Sequence, residues 1–235
     1  MDQNLVHAVD QTITSRHSVR AFLDTPVSTD MLKDILTVAS RAPSGTNTQP
    51  WKVYVLTGKK RDELVQRVCQ AQMELYQNPA LAEQYQETFA YYPEQWFSPY
   101  IDRRRENGWG LYGLLNIQKG EKEKMARQNL RNFELFDAPV GLFFTLHKDL
   151  GVGSKMDISM MIQNVMLAAK ARGLDTCPQA AWNHFHSIVL DVLGAGDDEE
   201  LVCGMSLGYA DPDHIVNTFI TPRVPVEEFA VFVDE

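Results

Sequence analysis

Residues 41–51 read RAPSGTNTQPW, a stretch that ends a helix, forms a rigid polar loop and leads into a strand. Pro43, Pro50 and Gly45 restrict the backbone, because proline locks φ and glycine permits tight turns. The loop also carries more polar side chains than a structural turn needs, namely Ser44, Thr46, Asn47 and Gln49. A loop of this kind can bind the edge of a planar heterocycle that has both hydrogen-bond donors and acceptors.

The segments beside this loop have regular periodicities. Apolar residues recur at helical spacing over residues 28–42, and Ser28 is placed to cap the N-terminus of this helix. Residues 52–57 are mostly β-branched or aromatic, which predicts a strand that ends at Gly58. Helical spacing returns over residues 59–76. The loop is therefore expected to join a helix to a strand.

A second polar cluster lies nearer the N-terminus. Residues 15–20 read SRHSVR, which places two guanidiniums, two hydroxyls and an imidazole within one or two helical turns. Guanidiniums and hydroxyls suit a phosphate monoester, since it presents several acceptor oxygens and about two negative charges. A solvated helix end would explain the same residues. The segment therefore admits two interpretations, a phosphate site or an exposed helix terminus.

Residues 77–120 form an aromatic-rich segment with weak periodicity, several prolines and three consecutive arginines at 103–105. So many aromatic side chains indicate either a small satellite core beneath an insertion or the wall and lid of a pocket for a flat ligand. Both interpretations are compatible with the sequence. The aromatic residues are Tyr85, Phe89, Tyr91, Tyr92, Trp96, Phe97, Tyr100, Trp109 and Tyr112.

Regular elements resume after this segment. Strands are predicted over 138–146 and 201–207, and helices over 157–172 and 183–193, which stop at Gly173 and Gly194. Helices and strands alternate without a strict βαβ rhythm, which favours an α+β sandwich over a doubly wound sheet. The tail from Asp211 ends in alternating apolar residues at Phe229, Val231 and Val233. This alternation is typical of an edge strand, added to the chain's own sheet or to a neighbour's.

Composition excludes several classes of protein. The chain has 235 residues, of which 44% are hydrophobic, enough to bury a sizeable core. Its net charge of −9 opposes binding to nucleic acid or to an anionic membrane surface. No apolar run reaches the ~20 residues of a membrane span, and the first residues lack a secretory pattern, so a cytoplasmic location is expected. Cys69, Cys177 and Cys203 are widely spaced, which predicts reduced core thiols.

The sequence lacks the residue spacings that characterise the motifs of several other enzyme classes. Residues 151–155 lack the Walker spacing and the third glycine of a dinucleotide fingerprint, so they predict a turn before a helix. His184 and His186 lie two apart on a predicted helix and point away from each other, so they cannot share a metal ion. No G-x-S-x-G elbow occurs, and no Cys–His pairing can be identified. The sequence therefore predicts neither a catalytic triad nor a metal site.

Three segments together resemble the FMN-dependent nitroreductase family: SRHSVRAF at 15–22, APSGTNTQPW at 42–51 and GLDTCPQ at 173–179. The resemblance extends from about Thr12 to Arg223. It implies one domain over residues 1–235, an α+β fold with a mostly antiparallel sheet wrapped by helices, in which residues 77–120 form a lid or pocket wall. It also implies an intimate homodimer with domain-swapped tails and two FMN molecules at the interface.

The resemblance further implies roles for individual residues. The residues expected to hold the FMN phosphate and ribityl chain are Arg16, His17, Ser18 and Arg20. The residues expected to line the same flavin from the partner subunit are Pro43, Ser44, Gly45 and Asn47. Pro178, Gln179 and Ala180 are expected along the isoalloxazine face, and Arg223 is expected to close on the phosphate. A further ribityl or phosphate contact is expected from Asn129, Arg131 or Asn132.

Flavin chemistry requires binding, orientation and electrostatics from the protein rather than a catalytic side chain. The resemblance implies a ping-pong cycle in which NADH or NADPH reduces FMN and is then replaced by a nitroarene or a related electron-poor aromatic or quinone. The pocket residues expected for this acceptor are Tyr92, Trp96, Tyr100 and Trp109. The family commonly has an acidic residue where this chain has Ala180–Trp182, so the resemblance does not predict which residues of that region contact the pyridine cofactor or the substrate.

Other functions are compatible with the same scaffold. The enzymatic alternatives are quinone or free-flavin reduction, reductive dehalogenation of an aromatic, and oxidative breakdown of the flavin. A flavin-binding module without turnover belongs to a different class, as does a helical dimerisation protein without a cofactor. Acceptor-dependent oxidation of NADH or NADPH distinguishes an enzyme from the module, and the yellow absorbance of bound flavin distinguishes both from a protein without cofactor.

Overall fold

The computed structural model describes residues 2–233. Its centre is a four-stranded sheet in the order β1-β2-β4-β3, and all three strand pairs are antiparallel. The strands are β1 (Lys52–Thr57), β2 (Val140–His147), β3 (Asp175–Gln179) and β4 (Glu199–Gly208). The predicted strands over 52–57, 138–146 and 201–207 are therefore confirmed, the last as an interior strand.

Helices cover both faces of the sheet. They are α1 (Gln3–Ser15), α2 (Thr29–Ala39), α3 (Gly58–Gln77), α4 (Tyr100–Leu114), α5 (Lys122–Leu130), α6 (Val152–Lys170) and α7 (His186–Leu193). On one face α2 and α6 pack against alternate β2 side chains, including Leu142 and Phe144. On the other face α3 and α7 pack against a second cluster that contains Phe143 and Trp182. Burial on both faces of β2 gives the expected α+β sandwich.

Local signals account for several boundaries. The Ser28 hydroxyl accepts a hydrogen bond from the Met31 N–H, so it caps α2 as predicted. Gly194 ends α7 in the left-handed conformation, at φ 62°. The helix predicted over 183–193 instead begins as a 3-10 turn at Ala180–Phe185. Helix α6 starts before the predicted residue 157, because the turn at Gly151 leads directly into it.

Two elements carry weak sequence signals. Helix α4 lies in the aromatic segment and has no buried residue, so it lacks the apolar stripe by which a helix is recognised. Strand β3 contains Pro178, which is tolerated because β3 is an edge strand. Residues 211–233 form no strand. The prediction that the alternating apolar residues at 229–233 add a strand to the chain's own sheet is therefore wrong. Pairing with a neighbour's sheet stays a prediction.

All three cysteines are free. Burial raises the pKa of Cys69 and Cys177 to about 11 and that of Cys203 to about 12. At neutral pH these groups are thiols rather than reactive thiolates, as the sequence indicates. Among the described residues, no helix is both long enough and apolar enough to cross a membrane.

Glu199 of β4 is hydrogen-bonded to strands β1 and β2. Its carboxylate accepts hydrogen bonds from Lys52 and Tyr54 on β1, from Thr145 on β2 and from the Gly196 N–H, at 2.6–3.1 Å. Burial alone would raise the pKa of Glu199, but these hydrogen bonds outweigh it and lower the pKa to about 2. Because this folded-state pKa is below the value near 4.3 of an unfolded chain, the stabilisation is complete above that value and is lost as pH falls towards 2.

Glu199→Gln should therefore lower the free energy of unfolding at pH 7 by about 1.5–3 kcal/mol, the contribution of hydrogen bonds to a charged group. The variant should also lose less stability than the wild type between pH 5 and pH 2 (roughly the interval between the two pKa values). Urea unfolding at several pH values measures both effects. Equal acid sensitivity in the two proteins would refute the role given to this carboxylate.

Candidate functional site

The first and third sequence motifs are neighbours in the structure. Residues 16–20 follow α1 and run beside β3, where Ser18 and Thr176 form a parallel bridge. The Val19 N–H donates to the Thr176 carbonyl at 3.1 Å. The segment is therefore extended and paired with the edge of the sheet, which rules out the interpretation as a solvated helix end.

Three arginines form an uncompensated positive cluster here, which we call the arginine cluster: Arg16, Arg20 and Arg223. None of them has a carboxylate oxygen within 4.0 Å among residues 2–233, whereas several other arginines do. Burial lowers the pKa of Arg16, and repulsion from Arg223 lowers it further. Arg20 and Arg16 also lie close enough to Cys177 to oppose the rise in the pKa of that thiol. An anion would relieve this repulsion.

Two buried polar atoms beside the cluster have no hydrogen-bond partner among the described residues: His17 Nε2 and Thr176 Oγ1. Buried polar atoms in folded proteins are nearly always hydrogen-bonded, so two unpaired ones in one region point to an absent ligand. Guanidiniums, a ring nitrogen and a hydroxyl are suited to the oxygens of a phosphate monoester. The residues present therefore fit the phosphate and polyol end of FMN.

Asn217 holds the motif in place, and the sequence gives no signal for this role. Its Oδ1 accepts a hydrogen bond from the Arg20 N–H at 2.9 Å. Its Nδ2 donates to the carbonyls of Ala21 and Asp211, at 2.8 and 2.9 Å. The backbone that carries Arg20 is thereby fixed to the segment that leads to Arg223.

The loop at 41–51 has the polar, constrained backbone that its sequence predicts. Thr46, Asn47 and Gln49 have positive φ angles of 50°, 61° and 49°, an uncommon conformation for residues other than glycine. The Gly45 N–H donates to Asp157 of α6 at 3.1 Å. The side chains of Pro43 and Asn47 are exposed, and Ser44 is half-buried. Within one chain the loop thus packs on α6, whereas the arginine cluster packs on β3.

Pro178 and Ala180 border two adjacent cavities. The larger cavity has a volume of about 430 Å³ and the smaller one about 260 Å³. Tyr91, Pro178 and Ala180 line both of them. Gln179 lines the larger cavity too, but its amide already donates to the Asn132 carbonyl and accepts from Ser206, at 2.6 and 2.7 Å. Its side chain therefore braces β3.

The structure separates the four aromatic residues expected in the acceptor pocket. Tyr92 lines the larger cavity, and the ring of Trp96, which is not a lining residue, packs against Tyr92 with 5.3 Å between centroids. Tyr100 pairs with Phe97 and Trp109 pairs with Tyr112, and neither lines the two cavities at Pro178. Of the four, only Tyr92 lines a cavity together with Pro178 and Ala180, and Trp96 contacts Tyr92.

Other lining residues carry no clear sequence signal. Tyr91 stands beside Tyr92 in the aromatic segment, but Glu87 and His184 belong to no motif. His184 Nε2 lies 3.3 Å from a Glu87 carboxylate oxygen. The ring of Phe133 completes the wall.

The three candidates for a further ribityl or phosphate contact, Asn129, Arg131 and Asn132, differ in their positions. Asn129 and Asn132 line the larger cavity. Arg131 instead forms an ion pair with Asp137 at 2.8 Å and lies 3.6 Å from Glu134. The Nδ2 groups of Asn129 and Asn132 already donate to the Tyr76 hydroxyl and the Asn129 carbonyl, at 3.0 and 3.1 Å, which leaves their Oδ1 atoms for a ligand. The charge of Arg131 is compensated by Asp137.

The chain is similar in sequence and structure to known nitroreductases. Chloronitrobenzene nitroreductase of Comamonas testosteroni is 41% identical over 97% of each chain, and 4-nitrobenzoate reductase of Pseudomonas putida is 39% identical over 95% of each. The crystal structure of the FMN and NADPH-dependent nitroreductase NfnB from sphigopyxis sp. strain HMH matches with a TM-score of 0.90 and 34% identity. That match covers 97% of this chain and 99% of NfnB. The nitroreductase family model matches residues 13–209, and the chain therefore belongs to the nitroreductase family.

Proposed function

We propose that this chain is an FMN-dependent oxidoreductase that uses NADPH or NADH to reduce nitroaromatic compounds in two-electron steps. The names of its relatives and of NfnB support the activity and the cofactor. The observation that carries the proposal is the placement of the arginine cluster and the cavities along β3. Thr176 and Gln179, which precedes Ala180, are separated by about 10 Å of extended strand. A molecule with an anionic tail and a flat head can span that distance.

The residues of the chain have distinct roles in this proposal. Arg16, Arg20 and Arg223 bind the phosphate, and His17 donates or accepts through the ring nitrogen that has no partner in the described structure. Pro178 and Ala180 provide the wall against which the flat head lies. When bound, FMN supplies the hydride-transfer chemistry.

In the first step a nitro group takes up a hydride and a proton and loses water to give the nitroso compound. NADPH is oxidised to NADP⁺, so that one NADPH and one proton are consumed for each water formed. Tyr92 and Phe133 form apolar walls of the larger cavity, which orient the acceptor and limit the access of water. The position of Tyr91 and Tyr92 in that wall supports the assignment of residues 77–120 as a pocket wall within a single domain.

We further propose that the protein is a homodimer in which a second copy brings residues 43–47 to the FMN. Helix α1 has no buried residue, yet Leu5, Val9 and Ile13 share one face of it and are about half exposed. Helix α1 contacts α6, which exposes Val152 and Met156. Exposed apolar side chains on two neighbouring helices are a common feature of protein interfaces. The free thiols support a reducing compartment, and we assign the protein to the cytoplasm.

Steady-state oxidation of NADPH and NADH by the FMN-loaded protein tests this function. The rate should depend on the addition of nitrobenzene, and sedimentation should give a species of twice the chain mass of 26.7 kDa. The control is the same mixture without acceptor. Rates that respond to a quinone or free flavin but not to any nitroarene would replace the proposed activity with one of the alternative reductases.

A further inference from the structure

The larger cavity contains a carboxylate and, among its described lining residues, no lysine or arginine. Its ionisable side chains are those of Glu87, His184, Tyr91 and Tyr92. The side chain of Glu87 is 24% exposed, and its partner His184 lies 3.3 Å away. An anionic substituent in this cavity would therefore face a carboxylate and would meet no permanent cation.

Three basic side chains in or beside the segments that line the two cavities already have partners within the chain. Lys155, which lines the smaller cavity, lies 2.7 Å from a Glu200 carboxylate oxygen and 4.1 Å from the centre of the Phe89 ring. Arg127, two residues before the cavity-lining Asn129, pairs with Glu134 at 2.7 Å. Arg104 lies over the rings of Trp96 and Tyr92, at 4.6 and 5.6 Å, and lines neither cavity. Among these three cations, only Lys155 lines a cavity, and its charge is compensated by Glu200.

We propose, on the basis of the function proposed above, that the enzyme selects uncharged nitroarenes over nitroarenes that bear a carboxylate, and that Glu87 sets this selectivity. A benzoate in the larger cavity would lose hydration without gaining a cationic partner, and it would be repelled by Glu87. An uncharged ring has neither penalty. The named substrates of the two relatives differ in this respect, since one name specifies chloronitrobenzene and the other 4-nitrobenzoate.

The test compares 4-nitrobenzoate with 4-nitrobenzamide, which have nearly the same shape but differ in charge. With the FMN-loaded wild type, kcat/KM should favour the amide by about tenfold or more, the scale of an unfavourable charge contact. Glu87→Gln should narrow this ratio to about threefold or less. Glu94→Gln is the matched control, because Glu94 is an exposed residue of the same segment and lines neither cavity. It should leave the ratio as in the wild type.

The wild-type ratio alone can overturn the inference: equal or faster turnover of 4-nitrobenzoate would contradict it. If the ratio of the two kcat/KM values is the same in Glu87→Gln as in the wild type, Glu87 does not set the selectivity. Loss of 4-nitrobenzoate turnover in Lys155→Met, with no effect of Glu87→Gln, would assign the acceptor to the smaller cavity and overturn the inference. A protein that reduces neither these compounds nor nitrobenzene would contradict the proposed function itself.

Discussion

Replacing both Arg16 and Arg20 with alanine should weaken FMN binding by roughly 10²- to 10⁴-fold. Each charge-assisted hydrogen bond to phosphate contributes about 1.5–3 kcal/mol, and about 1.4 kcal/mol corresponds to a factor of ten. The two guanidiniums have no carboxylate partner among the described residues, so their removal breaks no ion pair within the chain. Fluorescence titration of the apoprotein with FMN measures the loss, and Arg16→Ala alone should show part of it.

Two controls isolate the phosphate contact. Riboflavin lacks the phosphate, so its affinity should change little in the double variant. Arg67→Ala removes the same charge from an exposed pair with Asp191 on the α3–α7 side and should leave FMN affinity unchanged. Wild-type FMN affinity in the double variant would mean that the phosphate binds elsewhere.

Trp182→Ala should lower the free energy of unfolding by roughly 3–5 kcal/mol, the usual cost of removing a buried tryptophan side chain. Trp182 is fully buried and makes edge-to-face contacts with Phe133 and Phe143, at 5.4 and 5.1 Å between centroids. It follows Ala180 by two residues, and Phe133 lines the larger cavity. The cavity wall should therefore loosen together with the core. Urea unfolding at matched protein and FMN concentrations measures the change.

Trp109→Ala is the matched control for this prediction. Trp109 is 45% exposed, so its loss should have a much smaller effect on stability. Gly204 provides a second test, because a Cβ there would lie within van der Waals overlap of Trp182, and Gly204→Ala should be destabilising. Combined with Trp182→Ala, the glycine substitution should cost less than it does alone. Additive effects would show that the two residues do not compete for the same space.

The parts of the fold that the sequence predicts are those with local causes. Ser28 caps α2 and Gly194 ends α7 through contacts within a few residues, so their signals are complete in the sequence. Strand β3 and helix α4 lack such signals. Strand β3 is defined by its pairing with the distant β4, and α4 buries no residue that could mark one of its faces.

The same distinction applies to the site. The residue types at 15–20 indicate a phosphate ligand, but whether an arginine is paired depends on which carboxylates the fold brings near it. Only the structure separates Arg16 and Arg20 from Arg131, whose charge is compensated by Asp137. Glu87 and His184 contact each other in the wall of the cavity but are 97 residues apart in the chain, so no spacing could have indicated their pairing.

Anaerobic stopped-flow absorbance of the FMN-loaded protein tests the central claim most directly. NADPH should bleach the bound flavin, and nitrobenzene, added after NADPH is exhausted, should restore its yellow absorbance as nitrosobenzene or its reduced product forms. Flavin that is not bleached by NADPH or NADH, or reduced flavin that nitroarenes leave bleached, would contradict it.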